Sequence, residues 1–350
     1  MKKYKFSRIT NHLTPTRITD AGLIMARILV TGAGGFIGSH LTEELIRQGE
    51  EVRALVRYNS RDERGLLEEL PQDVQNQIEV IPGDLKDPDG VRKAVKRCHK
   101  IFHLGALIAI PYSYIHPFDF IQTNVAGTAH LLNACLEEGT LERFIHTSTS
   151  EVYGTAQYIP IDEKHLLQAQ SPYAASKIAA DKLAESYYLS FGLPIATIRP
   201  FNTYGPRQSL RAIIPTIISQ AMGDKKIWLG NTKPRRDFLF VKDTVTGFIQ
   251  VGKCEGAVGK VVNVGTGTDI SVEELVKKIL DLMGKQGEIE VEDRRIRPEK
   301  SEVMQLLSDI HLAKKLFQWA PRHTLDEGLR ETIEWYQKNL SRFKVGSYPL

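Results

Sequence analysis

The residues best suited to acid–base chemistry lie between Thr147 and Lys177. Tyr173 and Lys177 are four positions apart, so on a helix their side chains share one face, one turn apart. An ammonium beside a phenol favours the phenolate, and the spacing therefore predicts a lowered pKa for Tyr173 and a role as a base. Thr149 stands where its hydroxyl could share the same proton.

Glu151 adds a carboxylate that the oxidation of an alcohol does not require by itself. Because an elimination needs a further base, Glu151 distinguishes elimination chemistry from simple hydride transfer. Each residue also has a plainer interpretation. A Tyr and a Lys at this spacing are common on amphipathic helices, and a lone Glu is more often a solvated loop acid. An independent pattern upstream favours the chemical interpretation.

That pattern is a glycine-rich turn between a strand-like and a helix-like segment. The β-branched run 27–31 leads into the spacing G-x-x-G-x-x-G, and residues 39–46 then show helical periodicity. Glycines at such a turn let backbone amides approach a pyrophosphate at a helix N-terminus, whereas a lone glycine triplet would indicate only a tight turn. We predict a dinucleotide-binding turn, and its candidate contacts are Gly32, Gly35, Phe36, Ile37 and Gly38.

The composition indicates an ordinary globular protein of one or two domains. The chain has 350 residues, of which 42% are hydrophobic and 25% charged, which is enough for a large core. A net charge of +4 without a basic cluster argues against a nucleic-acid surface, and no apolar run approaches the roughly 18 residues of a membrane span. Three scattered cysteines predict reduced side chains in a cytoplasmic protein, with no metal site.

The order of the predicted elements defines the fold class. Strands and helices alternate through the first half of the chain, which predicts an α/β fold with a Rossmann-like, doubly wound parallel sheet. The predicted strands are 27–31, 52–57, 78–82, 100–104, 143–148 and 195–199. The predicted helices are 35–48, 88–97, 118–138, 171–191, 210–222, 271–284, 309–316 and 325–339.

The predicted domains follow this order. Residues 1–24 are polar and are expected to form a disordered N-terminal extension. Residues 25–204 form the expected dinucleotide-binding domain, to which residues 237–265 return. Beyond Tyr204 the helices alternate with Gly- and Pro-rich loops, which indicates a smaller C-terminal substrate-binding lobe. The parts of that lobe are residues 205–236 and 266–345.

The tyrosine–lysine pair and the glycine turn together resemble the extended short-chain dehydrogenase/reductase family, more narrowly its nucleotide-sugar epimerases and dehydratases. The supporting segments are 83–85, 104–106, 199–207, 235–243 and 297–298. The resemblance implies a nucleotide-sugar substrate and a tightly bound NAD⁺ or NADP⁺ that is regenerated in each cycle. The further cofactor contacts that it implies are Asp84, Leu85, Leu104, Ala106, Tyr173 and Lys177. The substrate contacts that it implies are Asn202, Arg207, Arg236 and Arg297.

Arg57 bears on the choice between the two cofactors. A site that prefers NAD⁺ usually has an Asp or Glu at the end of the second strand, where it binds the adenosine ribose hydroxyls. Arg57 stands there instead, and a cation would suit the 2′-phosphate of NADP⁺. Alternatively, Arg57 stacks on the adenine and has no bearing on phosphate. We expect NADP⁺ and keep NAD⁺ open.

The residues around the tyrosine separate the reactions of the family. Dehydratases and uronate decarboxylases carry a Glu at the position of Glu151, which epimerases do not need. Ser150 stands where dTDP-glucose 4,6-dehydratases have an Asp; the Thr-Ser-Glu order resembles GDP-mannose 4,6-dehydratases and UDP-glucuronate decarboxylases. Residues 306–310 occupy the place where decarboxylases have an arginine for the substrate carboxylate, and they offer leucine. The segment 297–306 resembles that of GDP-mannose dehydratases.

Three stretches resemble the 4,6-dehydratases of legionaminic acid-type pathways, enzymes of cell-surface polysaccharide biosynthesis that act on a nucleotide-linked N-acetylglucosamine. These stretches are 147–154, 171–177 and 198–207. The resemblance implies that Tyr173 takes the C4 hydroxyl proton, that Glu151 removes the C5 proton and that Ser150 orients the leaving C6 hydroxyl. The base, UDP or GDP, stays open. The alternatives are a UDP-glucuronate decarboxylase, a nucleotide-sugar 4-epimerase and a non-catalytic sugar-nucleotide sensor.

The predicted helices 118–138 and 171–191 carry apolar residues on more than one side. Burial against the sheet would explain this pattern. The family resemblance instead implies a homodimer through a four-helix bundle, and we expect that arrangement.

Overall fold

The computed structural model of the protein describes residues 27–223 and 226–342. The predicted N-terminal extension, residues 1–24, lies outside the described residues. Among the described residues, no helix is long and apolar enough to cross a membrane. The domain bounds given above stay predictions.

The strands are β1 Arg27–Thr31, β2 Val52–Arg57, β3 Ile78–Gly83, β4 Cys98–His103, β5 Arg143–Thr147, β6 Ile195–Pro200, β7 Asn202–Tyr204, β8 Lys226–Leu229, β9 Arg235–Arg236, β10 Phe238–Phe240, β11 Val261–Val264, β12 Ile270–Ser271, β13 Glu288–Val291 and β14 Gln305–Leu306. The α-helices are α1 Phe36–Arg47, α2 Gln72–Gln75, α3 Pro88–Val95, α4 Ile110–Ile115, α5 Pro117–Phe120, α6 Gly127–Glu138, α7 Pro172–Phe191, α8 Ile213–Gly223, α9 Val241–Lys253, α10 Val272–Met283, α11 His311–Phe317 and α12 Leu325–Asn339. Short 3₁₀ turns include Ser150–Tyr153 and Glu299–Ser301, and Ile121–Ala126 is a π-helical turn.

Seven strands form one parallel sheet in the order β11-β6-β5-β4-β1-β2-β3, which confirms the predicted Rossmann-like fold. Alternate side chains of each strand enter different cores, because successive residues point to opposite faces. Ile28 and Val30 pack with α1 and α9, whereas Leu29 packs with α3 and α6 on the other face. The sheet is therefore covered on both sides, as its continuous apolar strands require.

Strand order reverses beside β1, since β2 and β3 follow on one side and β4, β5 and β6 on the other. The loops after β1 and β4 leave the sheet in opposite directions there and open a crevice between them. The chain returns to the sheet through β11, which pairs with β6. The candidate residues after β1, β4, β5 and β6 therefore meet at one edge.

Helix α7, which carries the tyrosine and the lysine, has clear sequence boundaries. The side chain of Ser171 accepts a hydrogen bond from the Ala174 amide, and Pro172 occupies the first turn. Gly192 ends the helix in a left-handed conformation. The prediction of a helix over 171–191 is confirmed.

The predicted continuous helix 118–138 is wrong in detail, because it divides into α5, the π-helical turn and α6. Asn124 lies in the π-helical turn. Its amide donates to the Leu107 carbonyl at 2.9 Å and accepts from the Leu107 amide at 2.8 Å. This pair of bonds fastens the loop after β4, and a tertiary contact of this kind leaves no trace in helical periodicity. Such turns occur frequently at functional sites.

The rest of the chain builds a second core beside the sheet. Apolar residues of α8, α10 and α12 pack there around Tyr204, Phe238 and Phe240. Three small sheets complete this part: β10 pairs with β7, β9 lies between β12 and β14, and β13 pairs with β8. This arrangement places Arg236 of β9 and the loop before β14 opposite the carboxyl edge of the seven-stranded sheet.

Candidate active site

The glycine turn between β1 and α1 is shaped for close backbone approach. Gly32 has a φ of +69°, and a Cβ there would lie 2.8 Å from the Gly105 amide nitrogen. A Cβ on Gly38 would lie 2.1 Å from the Gly32 carbonyl oxygen. Helix α1 begins after Gly35 without a side-chain cap. Its N-terminus can therefore receive an anion such as a pyrophosphate, and the residues fit a dinucleotide.

The other predicted cofactor residues border this turn. The Leu104 amide donates to the Thr31 carbonyl, which holds the end of β4 against β1. Leu85 is buried where a Cβ on Gly105 would meet it, and Asp84 accepts from the Lys86 amide within its own turn. The remaining members are placed as follows: Ala106 is half-buried in the loop after β4, Phe36 packs against the second core and Ile37 against the sheet core.

A cavity of about 330 Å³ opens at the end of β2. The exposed Arg57 lines it together with Arg64, but three carboxylates line it too. These carboxylates are Asp62, Glu63 and Glu68. The Leu66 amide donates to the Gly34 carbonyl, so the loop that forms the cavity is fixed against the glycine turn. This cavity is of a size and place to receive the adenosine end of a dinucleotide.

Tyr173, Thr149 and Lys177 lie together at the carboxyl end of β5. The Thr149 hydroxyl hydrogen-bonds the Tyr173 phenol. The Lys177 ammonium is buried and donates to the Thr147 carbonyl oxygen at 2.6 Å. Burial lowers the pKa of Lys177 to about 8, and the charge of Asp181 partly opposes that effect. Lys177 is therefore protonated at neutral pH in spite of its burial.

The expected lowering of the Tyr173 pKa is wrong for the protein without ligands. Burial raises the pKa of Tyr173, the hydrogen bond from Thr149 lowers it, and the charges of Glu151 and Asp181 raise it further. Lys177 is not among the charges that shift the Tyr173 pKa, and its ammonium donates to the Thr147 carbonyl. Spacing brought the two side chains to one face but could not show how deeply the phenol is buried.

Glu151 lies at the start of the 3₁₀ turn Ser150–Tyr153 and faces the same site. Its charge acts on both Tyr173 and Arg236, so the carboxylate lies near the phenol and near the guanidinium. Glu151 is half-buried, and Ser150 beside it is buried. The Tyr173 phenol and the Glu151 carboxylate, both groups able to exchange a proton, therefore lie close together in the cleft.

Two arginines surround one carboxylate on the opposite wall. Arg236 and Arg297 lie 3.6 and 3.7 Å from the same carboxylate oxygen of Glu302. Burial lowers the pKa of Arg236, which measures the cost of holding this guanidinium away from water. Arg236 and Arg297 thus place two guanidiniums on this wall, with Glu302 and Glu151 as counter-charges, and guanidiniums are suited to an anionic ligand.

Two buried polar atoms in the cleft have no hydrogen-bond partner, Oδ1 of Asn202 and Nη1 of Arg297, although Nη1 lies 3.7 Å from Glu302. Unpartnered buried polar atoms are costly, and in a cleft they indicate groups that meet a ligand. Asn202 and Arg297 were both predicted as substrate contacts. Their placement is consistent with that role, which stays a prediction.

Arg207 was also predicted as a substrate contact, but the structure engages it elsewhere. Its guanidinium pairs with Glu43 of α1, and its backbone has a φ of +67°. The pKa of Glu43 is lowered by this hydrogen bond although burial opposes the effect. Arg207 thus ties the turn after β7 to α1, and a role toward substrate stays a prediction.

The sequence did not predict a set of hydrogen bonds between residues 297–303 and the segments around α4 and α7. The Ser301 hydroxyl shares a hydrogen bond of 2.6 Å with the Tyr114 phenol of α4 and donates to the Gln170 carbonyl. The Gln170 amide donates in turn to the Lys300 carbonyl at 2.9 Å. These hydrogen bonds join residues 297–303 to the residues just before α7. The residues are far apart in sequence, so no local sequence pattern could reveal the contact.

No cluster of metal-binding side chains exists in residues 27–223 and 226–342. The predicted absence of a metal stays a prediction for the whole chain. Cys98 and Cys135 are buried free thiols, and Cys254 is a half-buried free thiol.

The chain is similar to several known proteins along nearly its whole length. The family model of GDP-mannose 4,6-dehydratase matches residues 29–332. The chain is 32% identical over 339 residues to dTDP-D-glucose 4,6-dehydratase of Mus musculus, with 92% of each chain covered. It is 30% identical over 323 residues to UDP-N-acetyl-alpha-D-glucosaminuronate decarboxylase of Bacillus cytotoxicus, covering 89% of this chain and 98% of that one.

A solved structure shows the same fold. DesIV, a dTDP-glucose 4,6-dehydratase from Streptomyces venezuelae crystallised with NAD, superposes with a TM-score of 0.82 at 27% identity. The match covers 91% of this chain and 99% of that one.

The glycine turn gives a stability prediction. Gly38→Ala should lower the free energy of unfolding by about 1–3 kcal/mol, because the added methyl overlaps the Gly32 carbonyl. Gly223→Ala is the control, since a Cβ at the end of α8 would meet no atom within 4 Å. Equilibrium unfolding in urea measures both. Equal midpoints for Gly38→Ala and wild type would show that the turn tolerates a side chain.

Proposed function

The chain belongs to the GDP-mannose 4,6-dehydratase family, and on that premise we propose that it is an NAD(P)-dependent 4,6-dehydratase of a nucleotide-sugar. The observation that carries this proposal is the place of Glu151, whose carboxylate acts on Tyr173 in one site. One base suffices for the proton that leaves and returns when a bound nicotinamide would oxidise and reduce C4. A second base beside it is what an elimination across C5 and C6 requires.

The proposed chemistry assigns one proton to each group. Tyr173 accepts the proton of the C4 hydroxyl as a phenolate, a form that the positive charge of a bound oxidised nicotinamide would favour, with Thr149 sharing its hydrogen bond. The resulting ketone acidifies the neighbouring C5–H, and Glu151 removes that proton. Ser150 orients the C6 hydroxyl, which leaves as water with a proton from Glu151. With the hydride returned to C6, C5 takes up a proton equivalent to the one that Tyr173 removed from the C4 hydroxyl, and the product is a 4-keto-6-deoxy sugar nucleotide.

The cofactor supplies reversible hydride acceptance, taken from C4 and returned to C6 within one cycle. The glycine turn, the uncapped N-terminus of α1 and the cavity at the end of β2 support NAD(P)⁺ as that group. The solved relative DesIV was crystallised with NAD bound. Lys177 would hold the ribose and keep a positive charge near Tyr173.

The proposed substrate is a UDP- or GDP-linked N-acetylglucosamine. Arg236 and Arg297 around Glu302 support a diphosphate on the wall opposite Tyr173. The relative from Bacillus cytotoxicus acts, by its name, on an N-acetylated uronate linked to UDP. The similarity of this chain to that decarboxylase also makes a decarboxylase the second candidate function. Leu306 opposes that candidate, because it is fully buried and offers no charge to a uronate carboxylate.

One experiment separates the candidates. The protein is incubated with a panel of UDP- and GDP-sugars, including N-acetylglucosamine and uronate forms. The masses of the products are then measured by mass spectrometry. Loss of water from an N-acetylglucosamine nucleotide supports the proposal. Loss of carbon dioxide from a uronate identifies a decarboxylase, and a new isomer of unchanged mass identifies an epimerase. Bound cofactor with no turnover on any substrate identifies a sensor.

Glu151→Gln should separate the two halves of the reaction. Oxidation at C4 uses Tyr173 and continues, so the variant accumulates reduced nicotinamide, seen by its near-ultraviolet absorbance. Dehydrated product should form about 10²–10⁴-fold more slowly than in wild type. Tyr173→Phe is the matched comparison, because it should give neither reduced cofactor nor product. A Glu151→Gln enzyme that dehydrates at nearly the wild-type rate would exclude the assigned role.

Arg57 decides the cofactor in our proposal, with NADP⁺ preferred over NAD⁺. Its place on the cavity beside Arg64 supports a 2′-phosphate, whereas Glu63 and Glu68 on the same cavity support ribose hydroxyls. Arg57→Glu should therefore raise the ratio of NAD⁺ to NADP⁺ in the purified protein. The measurement is chromatography of cofactor extracted from the denatured protein. Wild-type protein that carries NAD⁺ alone would overturn the preference.

We also propose the homodimer. Leu131, Leu132 and Ala134 of α6 are buried against the sheet core, so burial within one chain explains them. Apolar side chains at the start of this helical segment and at the end of α7 are different, because they are exposed. They are Phe118 at 76%, Ile121 at 50%, Leu189 at 71% and Phe191 at 58%. Phe118 and Ile121 lie near the start of α7, where Phe120 packs on Tyr173, and Leu189 and Phe191 lie at its other end. Exposed apolar side chains at both ends of a helix are typical of an interface along it.

Phe118→Asp should weaken the dimer, because a carboxylate would be buried in the interface. Light scattering after size-exclusion chromatography should give twice the 39.4 kDa chain mass for wild type and a lower mass for the variant. Tyr58→Asp is the control, since Tyr58 is 72% exposed beside the cavity at β2 and away from these helices. A monomeric wild type would exclude the dimer.

A further inference from the structure

Asp181 is a buried carboxylate that the proposed chemistry does not use. It lies on α7 four residues after Lys177, on the same face of the helix and 5% exposed. It receives hydrogen bonds from His146 Nε2 at 3.0 Å, from the Ser148 hydroxyl at 2.7 Å and from Arg199 Nη2 at 2.8 Å. Burial would raise the pKa of Asp181, but these partners hold it well below its usual range.

Arg199 of β6 is the centre of this network. Besides Asp181 it donates to the Ser148 hydroxyl at 3.3 Å and to the Tyr153 phenol at 3.0 Å, and its guanidinium lies 4.9 Å from the centre of the Tyr153 ring. The Tyr153 hydroxyl donates onward to Asn263 of β11 at 2.7 Å. Arg199 and Asp181 thus connect the strand end before Thr149, the turn that carries Glu151 and the helix that carries Lys177.

The charged groups that face Lys177 come from several elements. Asp181 lies on its own helix, His146 on β5 and His103 on β4, with Arg199 of β6 behind Asp181. Both histidines have a lowered pKa, chiefly through burial, and the charge of Lys177 contributes to that lowering. They are therefore neutral near pH 7. Asp181 is the carboxylate that acts on Lys177.

The strand end itself depends on the same carboxylate. Thr147 accepts the hydrogen bond of Lys177, Ser148 donates to Asp181, and Thr149 bonds Tyr173. Three consecutive residues thus contact three side chains of one helix, at positions 173, 177 and 181. Loss of the contact between Ser148 and Asp181 would loosen the segment that aligns Thr147 with Lys177 and Thr149 with Tyr173.

We infer that Asp181, held by Arg199, is a positioning residue that keeps Lys177 positively charged and keeps residues 147–149 against the catalytic helix. The inference rests on the proposed roles of Tyr173 and Lys177. A core ion pair without such a role would affect stability alone, because breaking a buried pair leaves an uncompensated charge. A positioning role predicts that loss of Asp181 lowers the pKa of Lys177, whereas a purely structural ion pair predicts no change in that pKa.

The test follows the titration of Lys177 directly and needs no substrate. Protein is labelled with [ε-¹³C]lysine, and the Lys177 resonance is identified by its absence in Lys177→Met. In Asp181→Asn the titration midpoint should move at least about one pH unit lower, because an opposite charge one helical turn away has been removed. Asp181→Glu should restore the midpoint toward that of wild type.

Glu185→Gln is the matched control. Glu185 lies one further turn along α7 and is exposed, and it pairs with Lys182 rather than with the network. The Lys177 midpoint should be unchanged in this variant. An unchanged midpoint in Asp181→Asn as well would overturn the inference, since Asp181 would then serve stability alone.

Asp181→Asn leaves Arg199 without its partner and could unfold the protein. The paired variant Asp181→Asn with Arg199→Met removes both buried charges, a change that folds more readily. Its Lys177 midpoint must also fall below that of wild type; otherwise the inference is rejected. Thermal melts of each variant show that the titrated protein is folded.

Turnover adds a second readout once a substrate is known. The alkaline limb of kcat/KM should move to lower pH in Asp181→Asn by the same interval as the Lys177 midpoint. At a pH above that limb, activity falls about tenfold for each unit of movement. A wild type without turnover on any sugar nucleotide would refute the proposed function, whereas the titration of Lys177 would still decide the role of Asp181.

Discussion

Strand order in the central sheet reverses between β1 and β4, and the position of every candidate group follows from that reversal. Parallel strands end at one edge, so the segments after β1, β4, β5 and β6 all meet there. The glycine turn can approach Gly105 only because β1 and β4 are neighbours. Helix α7 follows β5, and Arg236 and Arg297 of the opposite wall follow β6. A different strand order would separate the glycine turn from the tyrosine.

On each wall of the cleft, buried cations share a carboxylate as their counter-charge. Lys177 is buried with Asp181 as its counter-charge, and Asp181 is shared with Arg199. On the other wall, Arg236 and Arg297 share Glu302. Burying these cations costs free energy that the protein recovers in part through shared carboxylates. These charged groups are fixed before any ligand arrives, so an anionic ligand meets a site that needs little rearrangement.

The sequence predicted the parallel sheet, the helix boundaries near Ser171 and Gly192 and the edge at which the candidate residues meet, because periodicity and glycine spacing are local properties. It did not predict features that depend on tertiary contacts. The π-helical turn follows from the bonds of Asn124 to Leu107, and the turning of Arg207 follows from Glu43. The Tyr173 pKa was predicted in the wrong direction, since spacing reveals a neighbouring charge but not the extent of burial.

Asp181 could have been noticed from the sequence, because it repeats the four-residue spacing that joins Tyr173 to Lys177. A carboxylate at this position has no evident use until the structure shows it buried beneath the lysine. The arrangement separates two tasks that one residue could not perform. A carboxylate in direct contact with the Lys177 ammonium would compete with the Thr147 carbonyl for its protons. Asp181 lies one turn away and is held by Arg199, so in the proposed role it favours the charged form of Lys177 and leaves the ammonium bonded to Thr147.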